Sequence, residues 1–513
     1  MRRSLAVALT LALALSAAPL AAKQKPTDPV AAFDALAARL RGEWQVPGLA
    51  VALVRDGKVA LAKGYGLRET GKSDPVDGDT LFAVGSTTKA MTVAALGMLV
   101  DEGKVAWDDP VRKFLPELEL KDGELASELT VRDLLTHRSG MPATDYLWYS
   151  GELSWKEIVA HLARVDRASP PRTRFEYQNV MYGLAGEVVA RASGQSWADF
   201  VRARIFAPLG MTRTVALGAD LAARDDVATP HSREDGPLPA RFTWALVDPI
   251  PSAGAVWSSA NDMARWISFL LAPGSVQTPS GAPLLAPATL AEIFRPQFVI
   301  QPDGFYPTAA KTRPHWTTYG LGWFQQDYRG HEVDFHTGSI DGMSAIVGLA
   351  REEKCGVVVL ANLDHAELRH VLLWSAMDLA FGGPARDWDA ELKPIYDEQR
   401  QKAAEARDRL HRQRVAGTRP SLALAAYAGT YADPLYGSLA VAVEGDGLRV
   451  TSGTVLDGKA EAWHFDTFRV TWALQLQGES FATFAIGPEG KVTSVDLDGT
   501  RFARQETAKS DGD

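Results

Sequence analysis

The apolar positions of this chain change their rhythm several times, and each change marks an element. Leu49 to Val54 is an unbroken apolar run, and Val59 to Ala62 nearly repeats it after Arg55-Asp56-Gly57-Lys58. An Asp-Gly pair between two β-rich runs predicts a hairpin over residues 49 to 66. From Ser86 to about Glu102 the spacing lengthens, with Ala90, Met91, Ala94, Ala95, Met98 and Leu99 at helical intervals. Gly103 is placed to end that helix. Helical spacing, broken by Pro and Gly, dominates from about 110 to 270. Strand patterns return near Tyr319–Phe324, Val333–His336, Ser344–Leu349 and Gly356–Ala361, and a helix is predicted from about Ala366 to Leu379. Strands therefore flank a mainly helical stretch, so one sheet can be assembled from distant segments with a helical subdomain inserted between them.

Downstream the pattern changes again. Residues 387 to 414 are dense in charge and alanine, which predicts a polar helix acting as a linker. After Arg419-Pro420 come short alternating strands separated by turns such as Glu444-Gly445-Asp446-Gly447 and Gly487-Pro488-Glu489-Gly490. These predict a small all-β domain. The expected division is a leader over 1–22, a catalytic-sized domain over 28–384, a charged helical linker over 385–418 and the β domain over 419–507.

Composition changes this picture little. The 513 residues are 46% hydrophobic and 23% charged, ordinary for a globular protein. The net charge is −9 with no long basic run, which argues against nucleic acid as a partner. Arg2-Arg3, the apolar run from Leu5 to about Leu15 and the small residues up to Ala22 have the layout of a secretory signal peptide. Its cleavage falls at Ala18 or Ala22, and the mature chain is expected to be periplasmic or secreted, with no membrane span. The lone cysteine, Cys355, precedes an apolar strand pattern and is expected to be buried and inert.

The chemistry is carried by three short constellations. Ser86-Thr87-Thr88-Lys89 stands at the start of the first helix, so Ser86 and Lys89 share one face. A helix start offers backbone N–H groups to a developing oxyanion, and a desolvated amine can take the serine proton. A helix-capping serine followed by an incidental lysine reads the same way, and alone the pattern is weak. Tyr177-Gln178-Asn179 follows Pro170-Pro171 and precedes another helix pattern. A phenol can carry a proton and an amide can hold a substrate carbonyl. His336-Thr337-Gly338-Ser339 ends a strand pattern, where glycine lets another backbone come close.

In this order the three sets resemble the penicillin-recognising serine hydrolases, and more narrowly the class C β-lactamase-related group, which includes D-amino-acid-specific peptidases and esterases. Leu134–Pro142, Ser258–Ala264 and Tyr319–Trp323 add local likeness, and the resemblance covers roughly residues 30 to 380. It implies an α/β (α+β) β-lactamase/transpeptidase-like fold: a central antiparallel sheet flanked by helices, with the β domain appended. It implies that Ser86 is acylated, that Lys89 and Tyr177 share proton handling, and that Asn179 binds the substrate amide. It also implies backbone N–H groups of Ser86 and Ser339 as an oxyanion hole, with Gly338 and His336 beside the substrate. No cofactor or metal is expected; the chain has no His-Glu-x-x-His and no cysteine pair.

His336 departs from the Lys that many β-lactamases and D-Ala-D-Ala peptidases carry. Its unperturbed pKa of about 6.5 leaves it largely neutral at pH 7. A charge pair at about 4 Å is worth roughly 4 kcal/mol at an effective dielectric of about 20. Weak β-lactam turnover and a preference for small esters or amides follow as the expectation. The alternatives are a β-lactamase or D-Ala-D-Ala carboxypeptidase, and a non-catalytic penicillin-binding-like sensor. The presence of Ser86, Lys89 and Tyr177 together favours an enzyme. The expected partner is a small-molecule or short-peptide substrate.

Overall fold

The computed structural model describes residues 28–233, 236–240, 243–302 and 305–506. The expected leader lies outside these residues.

The hairpin predicted at Asp56-Gly57 forms between strands Gly48–Arg55 and Lys58–Gly66. It becomes one end of an eight-stranded sheet, continuing through Cys355–Ala361, Met343–Ala350, His331–Ile340, Phe324–Tyr328, Thr317–Tyr319 and Phe298–Val299. Every neighbouring pair is antiparallel. The central strands are covered on both faces, which is why they read as continuous apolar runs rather than as an alternation. Ala50, Ala52, Val54, Val347, Val358 and Leu360 face one core, built with the inserted helices. Leu49, Val51, Leu53, Ile346, Val357 and Val359 face the other, built with helices Pro29–Glu43 and Leu368–Phe381. Cys355 is 2% exposed, and burial pushes its thiol up to about 12, in keeping with an inert side chain.

Two readings of the sequence are corrected. Tyr319 to Phe324 is not one strand: Thr317–Tyr319 and Phe324–Tyr328 are separate, joined by a tight turn closed by Gly320 N–H donating to Trp323 O (2.8 Å). The charged helix, observed as Trp388–Arg412, is a linker only in its second half. Trp388, Leu392 and Tyr396 bury one face of its first turns against the second core, and the many exposed charges around them hide that short stripe in a composition average.

Beyond it the chain forms a closed eight-stranded antiparallel barrel from Gly429–Asp433 to Thr500–Arg504, sealed by Tyr431 pairing with Arg504 and Ala432 with Ala503. Its interior is its own core, with Tyr427, Tyr431, Phe468, Phe484 and Phe502 among its members. Closure removes the exposed edges that an open sheet of short strands would present. No helix among the described residues is long and apolar enough to cross a membrane.

One close approach ties the sheet to the inserted helices. The strand His331–Ile340 pairs with Phe324–Tyr328 only through Phe335, so its last residues pair with Met343–Ala350 alone. Their other side meets the turn Gly85–Thr87 backbone to backbone. A Cβ built on Gly338 would lie 1.9 Å from Val84 O and 3.1 Å from Ser86 N. A Cβ on Gly85, whose φ is +52°, would lie 2.7 Å from Ser339 N. Neither position has room for a side chain. Gly338→Ala is expected to lower stability by about 1–3 kcal/mol, the usual range for overpacking. An equilibrium denaturation midpoint that falls without a change in slope would show it, and an unchanged midpoint would contradict the close approach.

Candidate active site

Ser86 owes its position to a short ladder. Phe82–Ala83 pairs with Trp257–Ser258, and Val84 N–H donates to Val256 O (3.0 Å). The chain then turns at Gly85 into the single 3₁₀ turn Gly85–Thr87 and the helix Thr88–Asp101. Ser86 is therefore at the helix start, one turn earlier in hydrogen bonding than the α-helix proper. The Ser86 amide lies beside the Ser339 backbone, because Gly85 and Gly338 carry no side chains to hold the segments apart. Backbone donors gathered at a helix start favour negative charge.

Lys89 is held by that same helix, which is buried on every side from Thr88 to Leu99. Its side chain is 0% exposed. The Nζ reaches three acceptors: Ser86 Oγ (2.8 Å), Asn179 Oδ1 (2.8 Å) and Ala253 O (2.9 Å). Burial lowers its pKa to about 7, and the charge of Asp145 works in the opposite direction. The three acceptors matter for the neutral amine. Asn179 Oδ1 and Ala253 O can only accept, so they take its two N–H bonds. The lone pair is then left facing Ser86, the one partner with a proton to give.

Asn179 is itself oriented. It is the first residue of the helix Asn179–Ser193, whose N-cap is Gln178, accepting from Val180 N–H. Its Nδ2 donates to Asp145 Oδ1 (3.0 Å), which leaves the oxygen for Lys89. Asp145 also accepts from Trp148 Nε1 (2.9 Å).

Tyr177 is half-buried over Lys89, whose Nζ is 5.0 Å from the ring centroid. Burial pushes its hydroxyl well above the usual tyrosine range, and a hydrogen bond with Ser86 pulls it partly back. It is a neutral phenol at pH 7. Its ring stacks on His137 at 4.1 Å. His137 has a left-handed φ of +54°, uncommon for a residue with a side chain. Its Nδ1 accepts from Gln178 N–H (3.0 Å) and its carbonyl from Glu176 N–H (2.7 Å). The loop at 137 thus grips the chain on both sides of Tyr177. Burial, and then the charge of Lys89, holds the His137 imidazole well below its ordinary value, so it stays neutral.

His336 does not line the cleft. It is 1% exposed, with Nδ1 donating to Thr337 O (2.6 Å) and Nε2 accepting from the Tyr319 hydroxyl (3.0 Å). Burial, then Lys89, lowers its pKa to about 3. Both ring nitrogens are spent inside the protein, behind Tyr177.

Beside Ser86 lies a cleft of about 90 Å³ between the inserted helices and the strand end at Ser339. Trp148, Tyr149, Leu246, Val247, Ile250 and Asp341 supply much of its wall. The barrel braces the Trp148 side. Thr454 and Val455 N–H donate to Ser150 O, each at 3.2 Å, and Ser438 N–H donates to Glu152 Oε1 (3.0 Å). Val455 and Leu474 of the barrel join the core of the first domain. Gln477 Nε2 donates to the Tyr149 hydroxyl, which donates to the Asp341 carboxylate.

The structure thus brings Ser86, Lys89, Tyr177, Asn179, Gly338 and Ser339 to one place and sets His336 behind them. Sequence reading missed Asp145, the Ala253 carbonyl, Tyr149 and Asp341. It included His137 in a likeness without giving it a task. Nothing in local spacing marks a carbonyl or a lone aspartate. The positive φ at His137 is a local oddity, and it is a property of the backbone, not of the letters.

Two family models match the chain. Beta-lactamase matches residues 33–381, and Domain of unknown function (DUF3471) matches residues 413–510. The unguisins hydrolase ungD of Aspergillus violaceofuscus is 30% identical over 428 residues, 78% of this chain and 74% of that protein. Protein flp of Staphylococcus aureus (strain NCTC 8325 / PS 47) is 26% identical over 322 residues, 62% of this chain and 60% of flp. Among solved structures, the octameric penicillin-binding protein homologue from Pyrococcus abyssi superposes with a TM-score of 0.59 at 24% identity, covering 92% of this chain and 99% of that one. SurE superposes with a TM-score of 0.54 at 21% identity, covering 93% and 99%. These two structures share the fold.

If neutral Lys89 activates Ser86, covalent labelling of Ser86 by a phosphonate will accelerate with rising pH. The rate is expected to fall about tenfold per pH unit below an inflection near 7 and to level off above it. Because the Asp145 charge raises the Lys89 pKa, Asp145→Asn should move that inflection to lower pH. A flat profile, or an inflection that moves upward, would contradict this arrangement.

Proposed function

The chain belongs to the β-lactamase family of serine hydrolases, and from that premise we propose that it cleaves small esters or amides through an acyl-enzyme on Ser86. The observation that carries the proposal is the 2.8 Å contact between Ser86 Oγ and a buried Lys89 whose pKa is lowered to about 7. At that value a large share of the amine is neutral at pH 7 and can accept a proton. Tyr177 is protonated under the same conditions, so the two groups divide the work: Lys89 is the base and Tyr177 the acid.

In the first half-reaction Ser86 Oγ attacks the carbonyl carbon and its proton passes to Lys89 Nζ. The carbonyl oxygen takes the negative charge and is held by the amide N–H groups of Ser86 and Ser339. The tetrahedral intermediate collapses with cleavage of the bond to the leaving group, which takes a proton from the Tyr177 hydroxyl. Lys89 ammonium returns a proton to Tyr177, and the acyl-enzyme remains. In the second half-reaction water attacks the acyl carbon and gives its proton to Lys89. Ser86 Oγ then leaves the acyl carbon and recovers that proton, releasing the acid. Asn179 accepts from Lys89 through Oδ1, and its position in the cleft wall supports a contact with the substrate amide.

The size of the cleft, about 90 Å³, supports a compact substrate. The burial of His336 supports weak handling of β-lactams, since it supplies no charge for their carboxylate. The Aspergillus relative, named as a hydrolase of unguisins, supports hydrolysis as the reaction class. Export through the leader of residues 1–22 is part of the same proposal; the layout of Arg2-Arg3 and the apolar run after it supports it.

A substrate panel on the purified chain tests the reading: short-chain p-nitrophenyl esters, D-aminoacyl amides, a D-Ala-D-Ala peptide and a chromogenic cephalosporin. Esters or amides should be turned over, and Ser86→Ala should reduce that turnover by at least about 10³-fold. Labelling that persists in Ser86→Ala, or cephalosporin hydrolysis near about 10⁸ M⁻¹ s⁻¹, would overturn the proposal.

A further inference from the structure

Beside the Ser86 nucleophile, the cleft has one charged side chain in its wall among the described residues, that of Asp341. It sits in the turn of the hairpin between strands His331–Ile340 and Met343–Ala350, two residues beyond Ser339. No Lys, Arg or His among the described residues forms an ion pair with it, and its hydrogen-bonded side-chain partner is the neutral Tyr149 hydroxyl. Burial, and then the like charge of Asp364, raises its pKa above the ordinary carboxylate value, against the pull of the Tyr149 hydrogen bond. Desolvating a carboxylate without a cation is costly, so the pocket holds a standing attraction for positive charge. Trp148 and Tyr149 stand in the same wall, their rings 5.7 Å apart, and aromatic rings lend further attraction to an ammonium. The barrel stabilises the arrangement, because Gln477 donates to the hydroxyl that donates to Asp341.

We propose that Asp341, with Trp148 and Tyr149, forms a subsite for a substrate ammonium group, so that the preferred substrates are aminoacyl esters or amides with a free amino group near the scissile carbonyl. This rests on the proposed function of Ser86 and narrows its substrate class. Carboxylate-bearing substrates are disfavoured by the same charge.

Two isosteric probes test it. Diphenyl 1-aminoethylphosphonate carries an ammonium where diphenyl isopropylphosphonate carries a methyl group. Both are offered to the full chain and to Asp341→Asn, and the second-order rates of Ser86 labelling are compared. Asp341→Asn keeps the turn chemistry, since Asn-Gly suits a tight hairpin as well as Asp-Gly does. The cationic probe should label the unmodified chain at least about tenfold faster than the neutral one, a preference typical of a desolvated charge contact. The ratio should fall at least about tenfold in Asp341→Asn, toward one. A ratio near one in the unmodified chain overturns the subsite even if the variant fails to fold. A ratio unchanged in Asp341→Asn also overturns it and leaves Asp341 as a structural partner of Tyr149. If neither probe labels Ser86, the serine hydrolase reading itself has failed and the subsite falls with it.

Discussion

Lys89 has no solvent around it, and much of the first domain is arranged to make that tolerable. A buried ammonium loses its hydration and can remain only if its hydrogen-bonding capacity is met from within the protein. Here the three partners come from three separate stretches: Ser86 from the 3₁₀ turn that leads into the Lys89 helix, Asn179 from the start of the next long helix, and Ala253 from the short helix Pro251–Gly254. Each must be placed before the amine can be buried. The same burial brings its pKa down to about 7, so the cost of desolvation leaves a large share of the amine neutral at pH 7. Asp145 limits that fall, and through the Asn179 amide it also decides which way that amide points.

The sheet serves this arrangement from the opposite side. With both faces covered, its central strands are fixed in place, and the end of His331–Ile340 can act as a rigid backbone wall. Glycine at 85 and 338 lets that wall come within contact of the Ser86 turn. Above Lys89, the strained loop at His137 fixes Tyr177 by stacking and by backbone hydrogen bonds. The barrel adds a third support by holding the segment around Ser150 and Tyr149, so it too shapes the cleft wall.

The chain's own letters carried the elements and the order of the chemical groups. The hairpin at Asp56-Gly57, the helix after Ser86, the late strands and the all-β tail are local patterns, set by turn chemistry and by the spacing of apolar residues. Ser86, Lys89, Tyr177 and Asn179 were recognisable because their short motifs, in that order along the chain, resemble those of a known family. Their assembly at one point was not local. Asp145, Ala253 and Asp341 take part through contacts between segments far apart in sequence, and a backbone carbonyl has no sequence signature at all. The fate of His336 was decided the same way: its residue type predicted neutrality, but only the packing of Tyr319 and the Thr337 carbonyl placed both its nitrogens away from the cleft. Local pattern can specify which groups exist and which elements bear them. Desolvation, orientation and the sign of charge in a pocket are properties of what surrounds a group, and those arise only when the chain is folded.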